Sequence, residues 1–119
     1  MDKHISSQFD ADLTNVSSRV LELGGLVESQ TRHAVYALAQ FSAEVADQVI
    51  ATEKQVNTME VEIDAELASI IARRQPTARD LRLLMAISKI TGNLERAGDE
   101  AERIARMVKQ ILDQGSPRN

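Results

Sequence analysis

Residues 77–113 read TARDLRLLMAISKITGNLERAGDEAERIARMVKQILD, and this stretch decides the fold. Thr77, with Asp80 three residues on, forms a helix-start pattern. The Thr77 hydroxyl can accept a free backbone N–H, and Asp80, standing where Glu or Gln is usual, suits the positive end of a helix. From Leu83 onward the apolar residues Ile87, Ile90, Leu94, Ala97, Ala101, Ile104, Val108 and Ile111 recur in steps of four and three. That spacing is the seam of a helix packed against other helices. Just off the seam stand Glu95, Asp99 and Glu102. At about 100° per residue they form a column, which this seam places on the outer face, pointing away from the core.

The same periodicity extends upstream. Val45, Val49, Val56, Met59, Ile63, Leu67 and Ile70 form a second seam. Ser42 supplies its N-cap, and Gln75-Pro76-Thr77 closes it, because the residue before a proline disfavours the α region. A first seam is made by Phe9, Leu13, Val16, Val20, Leu23, Val27, Ala34, Leu38 and Phe41. Its register is unchanged across Gly24-Gly25, which predicts one long helix despite the cost of interior glycine. The pair is either a close approach by another backbone or a tolerated weak point. The predicted helices cover about 6–41, 43–74 and 78–113, after a short tail at 1–6, and Gly115-Ser-Pro ends the last of them. Long helices joined by very short turns must run up, down and up. The expected fold is all-α: an up-down-up three-helix bundle forming a single domain over 1–119.

Composition agrees. Apolar residues make up 43% of the 119 and aromatics only 3%, so the core must be built from Leu, Ile, Val, Ala and Met. There is no cysteine, which excludes a disulfide scaffold and a thiolate metal site and suits a cytoplasmic location. No apolar run approaches the roughly 18 residues of a membrane span, and the N-terminus lacks the apolar block of a secretory signal. The net charge of -4 argues against nucleic acid as a partner.

No catalytic constellation stands out. His33 has Gln30 and Tyr36 three residues to either side, so the Glu-x-x-His pairs of a di-metal bundle enzyme are missing. Neither His-Glu-x-x-His nor a phosphate-cradling glycine loop occurs. What remains is charge. Glu95, Asp99 and Glu102 offer the oxygen ligands that hard cations prefer. The same residues also fit exposed ion pairs, Asp99–Arg103 and Glu102–Arg106, which stabilise an isolated helix by a few tenths of a kcal/mol. Glu53, Asn57, Glu60 and Asp64 make a second polar column flanking the seam of helix 2. Arg73, Arg74, Arg79 and Arg82 crowd the second turn, as an anion or partner contact or as simple solvation of the turn.

Several of these words resemble a known family. Ile71-Ala-Arg-Arg-Gln-Pro-Thr-Ala-Arg-Asp-Leu-Arg82, followed by Ile87-Ser-Lys-Ile-Thr-Gly-Asn-Leu-Glu-Arg-Ala-Gly-Asp99, is similar to the PhoU family of phosphate-signalling proteins. His4 to Asp10, Gly24 to Glu28 and Val56 to Asp64 look like the family's upstream segments, in the same order. Ala97 stands where the family usually has isoleucine. The resemblance implies a cytoplasmic, non-enzymatic regulator that couples a phosphate ABC transporter, through its ATPase subunit, to a membrane sensor histidine kinase. It would reach the membrane only through those partners. The family's Glu/Asp-x-x-x-Asp motif, here Glu95 to Asp99 with Arg96 and Gly98 inside it, implies divalent or ferric ions as ligands, and Arg96 joins the basic residues as a partner contact. Gly98 would let an ion or partner approach closely. Family chains hold two such bundles in tandem and this one matches the first, so self-association, as a dimer, is expected of the exposed face. The alternatives are a metal-binding bundle with a metal-dependent activity and a purely structural helical module.

Overall fold

The computed structural model describes the backbone of residues 2–115 and the side chains of residues 7–115. It is an up-down-up three-helix bundle, 74 Å long and about 17 Å across. The helices are α1 (Asp2–Gln40), α2 (Ala43–Arg74) and α3 (Ala78–Gly115), and each packs against both others. α1 therefore begins at Asp2, where the sequence suggests a tail before Ser6; the end of the chain, 116–119, lies outside the described residues.

Local chemistry sets the boundaries. Phe41 takes a positive φ of 50° and reverses the chain. Ser42 then caps α2, its hydroxyl accepting the Val45 N–H at 3.2 Å. Gln75, at φ 47°, is the left-handed C-cap of α2, directly before Pro76. Thr77 accepts the Asp80 N–H on its side chain at 3.2 Å and the Leu81 N–H on its carbonyl at 2.8 Å, which starts α3 as its sequence requires. Arg73 and Arg74 fasten the second turn to α1. Both reach the carboxylate of Asp12, Arg74 at 2.8 Å, and Arg73 also pairs with Glu66. The hydrogen bond from Arg74 holds the Asp12 carboxyl below its ordinary range.

Across Gly24-Gly25 α1 runs unbroken. A Cβ at Gly24 would meet only Leu94 Cδ1 at 3.9 Å, and one at Gly25 would meet nothing within 4 Å. No backbone approaches the pair, so it is a tolerated weak point. Gly25→Ala is accordingly expected to raise stability by about 0.5–1 kcal/mol, read from urea unfolding.

The core has two apolar halves. One joins Phe9, Val16, Leu23 and Val27 to Val56, Ile63, Leu67, Ile70 and Leu84. The other, richer in alanine, joins Ala34, Ala37, Ala46 and Val49 to Ala101, Ala105 and Val108. The seam of α3 differs from its expected position. Its buried residues are Leu84, Thr91, Gly98, Ala101, Ala105 and Val108. Leu83, Ile90 and Ile111, expected inside, are 42–49% exposed, and Ala97 is exposed as well. Likewise Leu38 of α1 and Phe41 in the turn after it, both expected inside, are exposed, and Ala37 takes the interior position. α3 thus keeps Ile87, Leu94, Ala101 and Val108 towards the core but exchanges the Leu83–Ile90–Ala97 line for Leu84–Thr91–Gly98, a turn of about half a residue that brings the acidic column inward.

Candidate metal centre

Between the two apolar halves lies a polar layer, to which each helix contributes one buried residue: Gln30 from α1, Glu53 from α2 and Gly98 from α3. Gln30 is 1% exposed and Glu53 2%. The Gln30 amide donates to Glu53 Oε1 at 2.9 Å and more weakly to the Val49 carbonyl at 3.3 Å. Two oxygens in this layer, Gln30 Oε1 and Glu53 Oε2, are buried without a hydrogen-bond partner. Groups in that position ordinarily cost free energy.

Gly98 makes the layer possible. A Cβ there would lie 2.8 Å from Glu53 Oε1, 3.1 Å from Gln30 Oε1 and 3.2 Å from Val56 Cγ1. The space expected to admit an ion or partner is instead filled by the chain's own side chains from α1 and α2.

On the side of this layer towards α3, Glu53 meets Asp99 and Glu102. One carboxylate oxygen of each lies within 4.8 Å of the other two. The acidic column of α3 therefore does not point outward, as the apolar ladder suggests; Glu95, Asp99 and Glu102 are all half-buried beside α2. Glu53 is pushed up to about 7, first by burial and then by the Asp99 carboxyl, with the Gln30 amide working the other way. Glu95 is raised by burial and by Asp99, and Glu60 is raised by burial with Asp64 and Asp99 nearby. Glu60 and Glu95 thus continue the acidic surface outward from the three-carboxylate cluster. Asn57 and Asp64, assigned with them by spacing, are exposed.

Few cations of the chain itself offset this charge. Arg106 pairs with Glu102 at 2.7 Å, as its spacing predicts. The expected Asp99–Arg103 pair is not formed; Arg103 turns to Glu100. No Lys or Arg pairs with Asp99 or Glu53 among the described residues. Three carboxylate donors, two of them without a basic partner among the described residues, beside two orphaned buried oxygens are a donor set suited to a hard cation. Arg79, Arg82 and Arg96 are exposed and make no ion pair among the described residues, whereas Arg73 and Arg74 are spent on Asp12 and Glu66.

Gln30 and the burial of Glu53 escape a reading based on apolar spacing. A signal was present nonetheless. The seam skips from Val27 to Ala34 and from Val49 to Val56, and each gap holds a polar residue, Gln30 or Glu53, at helical spacing from its neighbours.

A three-helix bundle with an acidic cluster set against a buried carboxylate defines the class: an all-helical protein built to hold charge between its helices. The chain belongs to the PhoU family, whose domain model matches residues 20–108. It is 53% identical over 116 residues to a phosphate-specific transport system accessory protein PhoU homolog of Burkholderia sp, covering 98% of this chain and 49% of that one. It is 46% identical to the accessory protein PhoU of Escherichia coli (strain K12), covering 96% and 47%. The crystal structure of PhoU from Pseudomonas aeruginosa superimposes with a TM-score of 0.86 at 48% identity, covering 92% of this chain and 53% of that one. The chain thus spans about half the length of the curated relatives it matches. No helix among the described residues is long and apolar enough to cross a membrane.

Proposed function

We propose that this chain serves phosphate-specific transport as a non-catalytic accessory. It acts as a cytoplasmic adaptor between the ATPase subunit of a phosphate ABC transporter and a sensor histidine kinase, peripheral to the membrane through those partners. The observation that carries this reading is close identity, over nearly the whole chain, to proteins named as accessories of phosphate-specific transport. The cluster of Asp99, Glu102 and Glu53 holds a divalent or ferric cation, with Glu95 and Glu60 beside it. The free arginines Arg79, Arg82 and Arg96 supply charged contacts to a partner.

One feature of the surface favours an interaction role. Leu83, Ile90, Ala97 and Ile111 lie on one line of α3 at multiples of seven residues and are exposed, forming an apolar row outside the bundle's own core. A partner, or a second copy of the chain, covers this row. The test is retention of the transporter's ATPase subunit and the kinase's cytoplasmic part on immobilised chain, with and without Mn²⁺. The expected result is retention of the ATPase subunit by the wild type and its loss with Ile90→Glu. Retention of neither partner under either condition would overturn the adaptor role.

A further inference from the structure

We propose that Gln30 is a positioning residue for the cation: it holds Glu53 against Asp99 and Glu102, so that the site is anchored through the core to all three helices. This inference rests on the cation reading given above and adds to it a residue on α1. The warrant is geometric. Gln30 is buried, and its amide nitrogen has two acceptors, Glu53 Oε1 at 2.9 Å and the Val49 carbonyl at 3.3 Å. These acceptors set the orientation of the amide, with its nitrogen towards α2 and its oxygen near Gly98. Donation to Oε1 fixes the rotation of the Glu53 carboxylate and leaves Oε2 without a partner. The layer also holds Gln30 Oε1, equally buried and unpartnered. An apolar residue here would leave Glu53 Oε1 without its donor, whereas Gln30 satisfies that oxygen and keeps its own amide oxygen unpartnered beside Glu53 Oε2, so the layer retains two oxygens that a cation could use.

Gly98 supports the same arrangement from the opposite side. Only a residue without Cβ leaves room for both Glu53 Oε1 and Gln30 Oε1. A group that orients a metal-binding carboxylate from behind typically changes metal affinity 10- to 100-fold when removed. Gln30 therefore makes cation occupancy report on the seating of α1, although α1 supplies none of the three carboxylates.

The test is Mn²⁺ binding to the metal-free chain, followed by the loss of the free-ion electron paramagnetic resonance signal. Thermal melts in chelator run in parallel. The wild type is expected to bind Mn²⁺, and Asp99→Asn to lose it. Gln30→Met, close in volume and without hydrogen-bonding groups, should weaken binding by the folded protein at least about tenfold; because it also takes the donor from the buried Glu53 Oε1, its melt in chelator should fall modestly, and the affinity is the deciding readout. A merely structural glutamine would move the melt and leave the affinity alone. Gly98→Ala, which displaces Glu53 from the other side, should weaken binding similarly and carries the test if Gln30→Met does not fold. Binding by the folded variants within twofold of wild type overturns the role of Gln30 and leaves the cation reading standing. No binding by the wild type, or undiminished binding by Asp99→Asn, overturns the cation reading and this inference with it.

Discussion

Leu84→Asp should unfold the bundle or cost about 4 kcal/mol or more, whereas Leu83→Asp, one residue away, should cost about 1 kcal/mol. Leu84 is 1% exposed and closes the first apolar half of the core against Phe9, Val16 and Ile70. A carboxylate there would be buried in an apolar cluster. Leu83 is 42% exposed, and an aspartate there can turn its charge into water. Urea unfolding followed by circular dichroism would separate the two. Equal losses, or the greater loss at Leu83, would return the core to the Leu83–Ile90–Ile111 line and send the acidic column back to the outside.

That contrast marks how far the sequence could be read. The three helices, both turns and the caps at Ser42 and Thr77 were legible, because each depends on residues close together in the chain. The rotation of α3 about its axis was not. Its apolar stripe is broader than the core can use, and a count of apolar residues follows Leu83 and Ile90 while passing over Thr91 and Gly98. Thr91 can be buried because its hydroxyl bonds back to the Ile87 carbonyl at 2.8 Å, so it brings no unmet polar demand. Gly98 is buried because two side chains from other helices need its space. Neither fact belongs to α3 alone. A turn of half a residue is about 50°, enough to carry Asp99 and Glu102 from the outer face to the edge beside α2. The acidic residues of the candidate site were therefore identifiable as residue types at the right spacing. Their meeting with Glu53, and the support from Gln30, depend on packing among three helices. The polar residues that interrupt the first two seams were the one available hint.

In chelator, the wild-type chain should lose stability as pH rises from about 5 to 8, and Glu53→Gln should remove most of that loss. Glu53 is surrounded by the neutral Gln30 of α1 and by Asp99 and Glu102 of α3, the latter paired outward with Arg106. Burial and the Asp99 carboxyl raise it from an ordinary 4.5 to about 7. The folded chain thus binds more protons than the unfolded chain between these values, and stability falls with rising pH. The contribution is fully present below about 4.5 and is lost as pH passes through about 7. At about 1.4 kcal/mol for each pH unit of displacement, the whole window is worth up to about 3 kcal/mol. Glutamine keeps an oxygen to accept the Gln30 amide but carries no charge. At pH 8 the variant should therefore melt higher than the wild type, and at pH 5 the two should nearly coincide. Glu60 and Glu95, also raised by burial, leave a smaller slope of the same sign in the variant. A cation at the cluster would take the place of the proton, so saturating Mn²⁺ should flatten the wild-type profile and leave that of Glu53→Gln nearly unmoved. Parallel melting profiles for the two proteins in chelator would show Glu53 to be an ordinary solvated carboxylate, and the polar layer would lose its claim to hold charge inside the bundle.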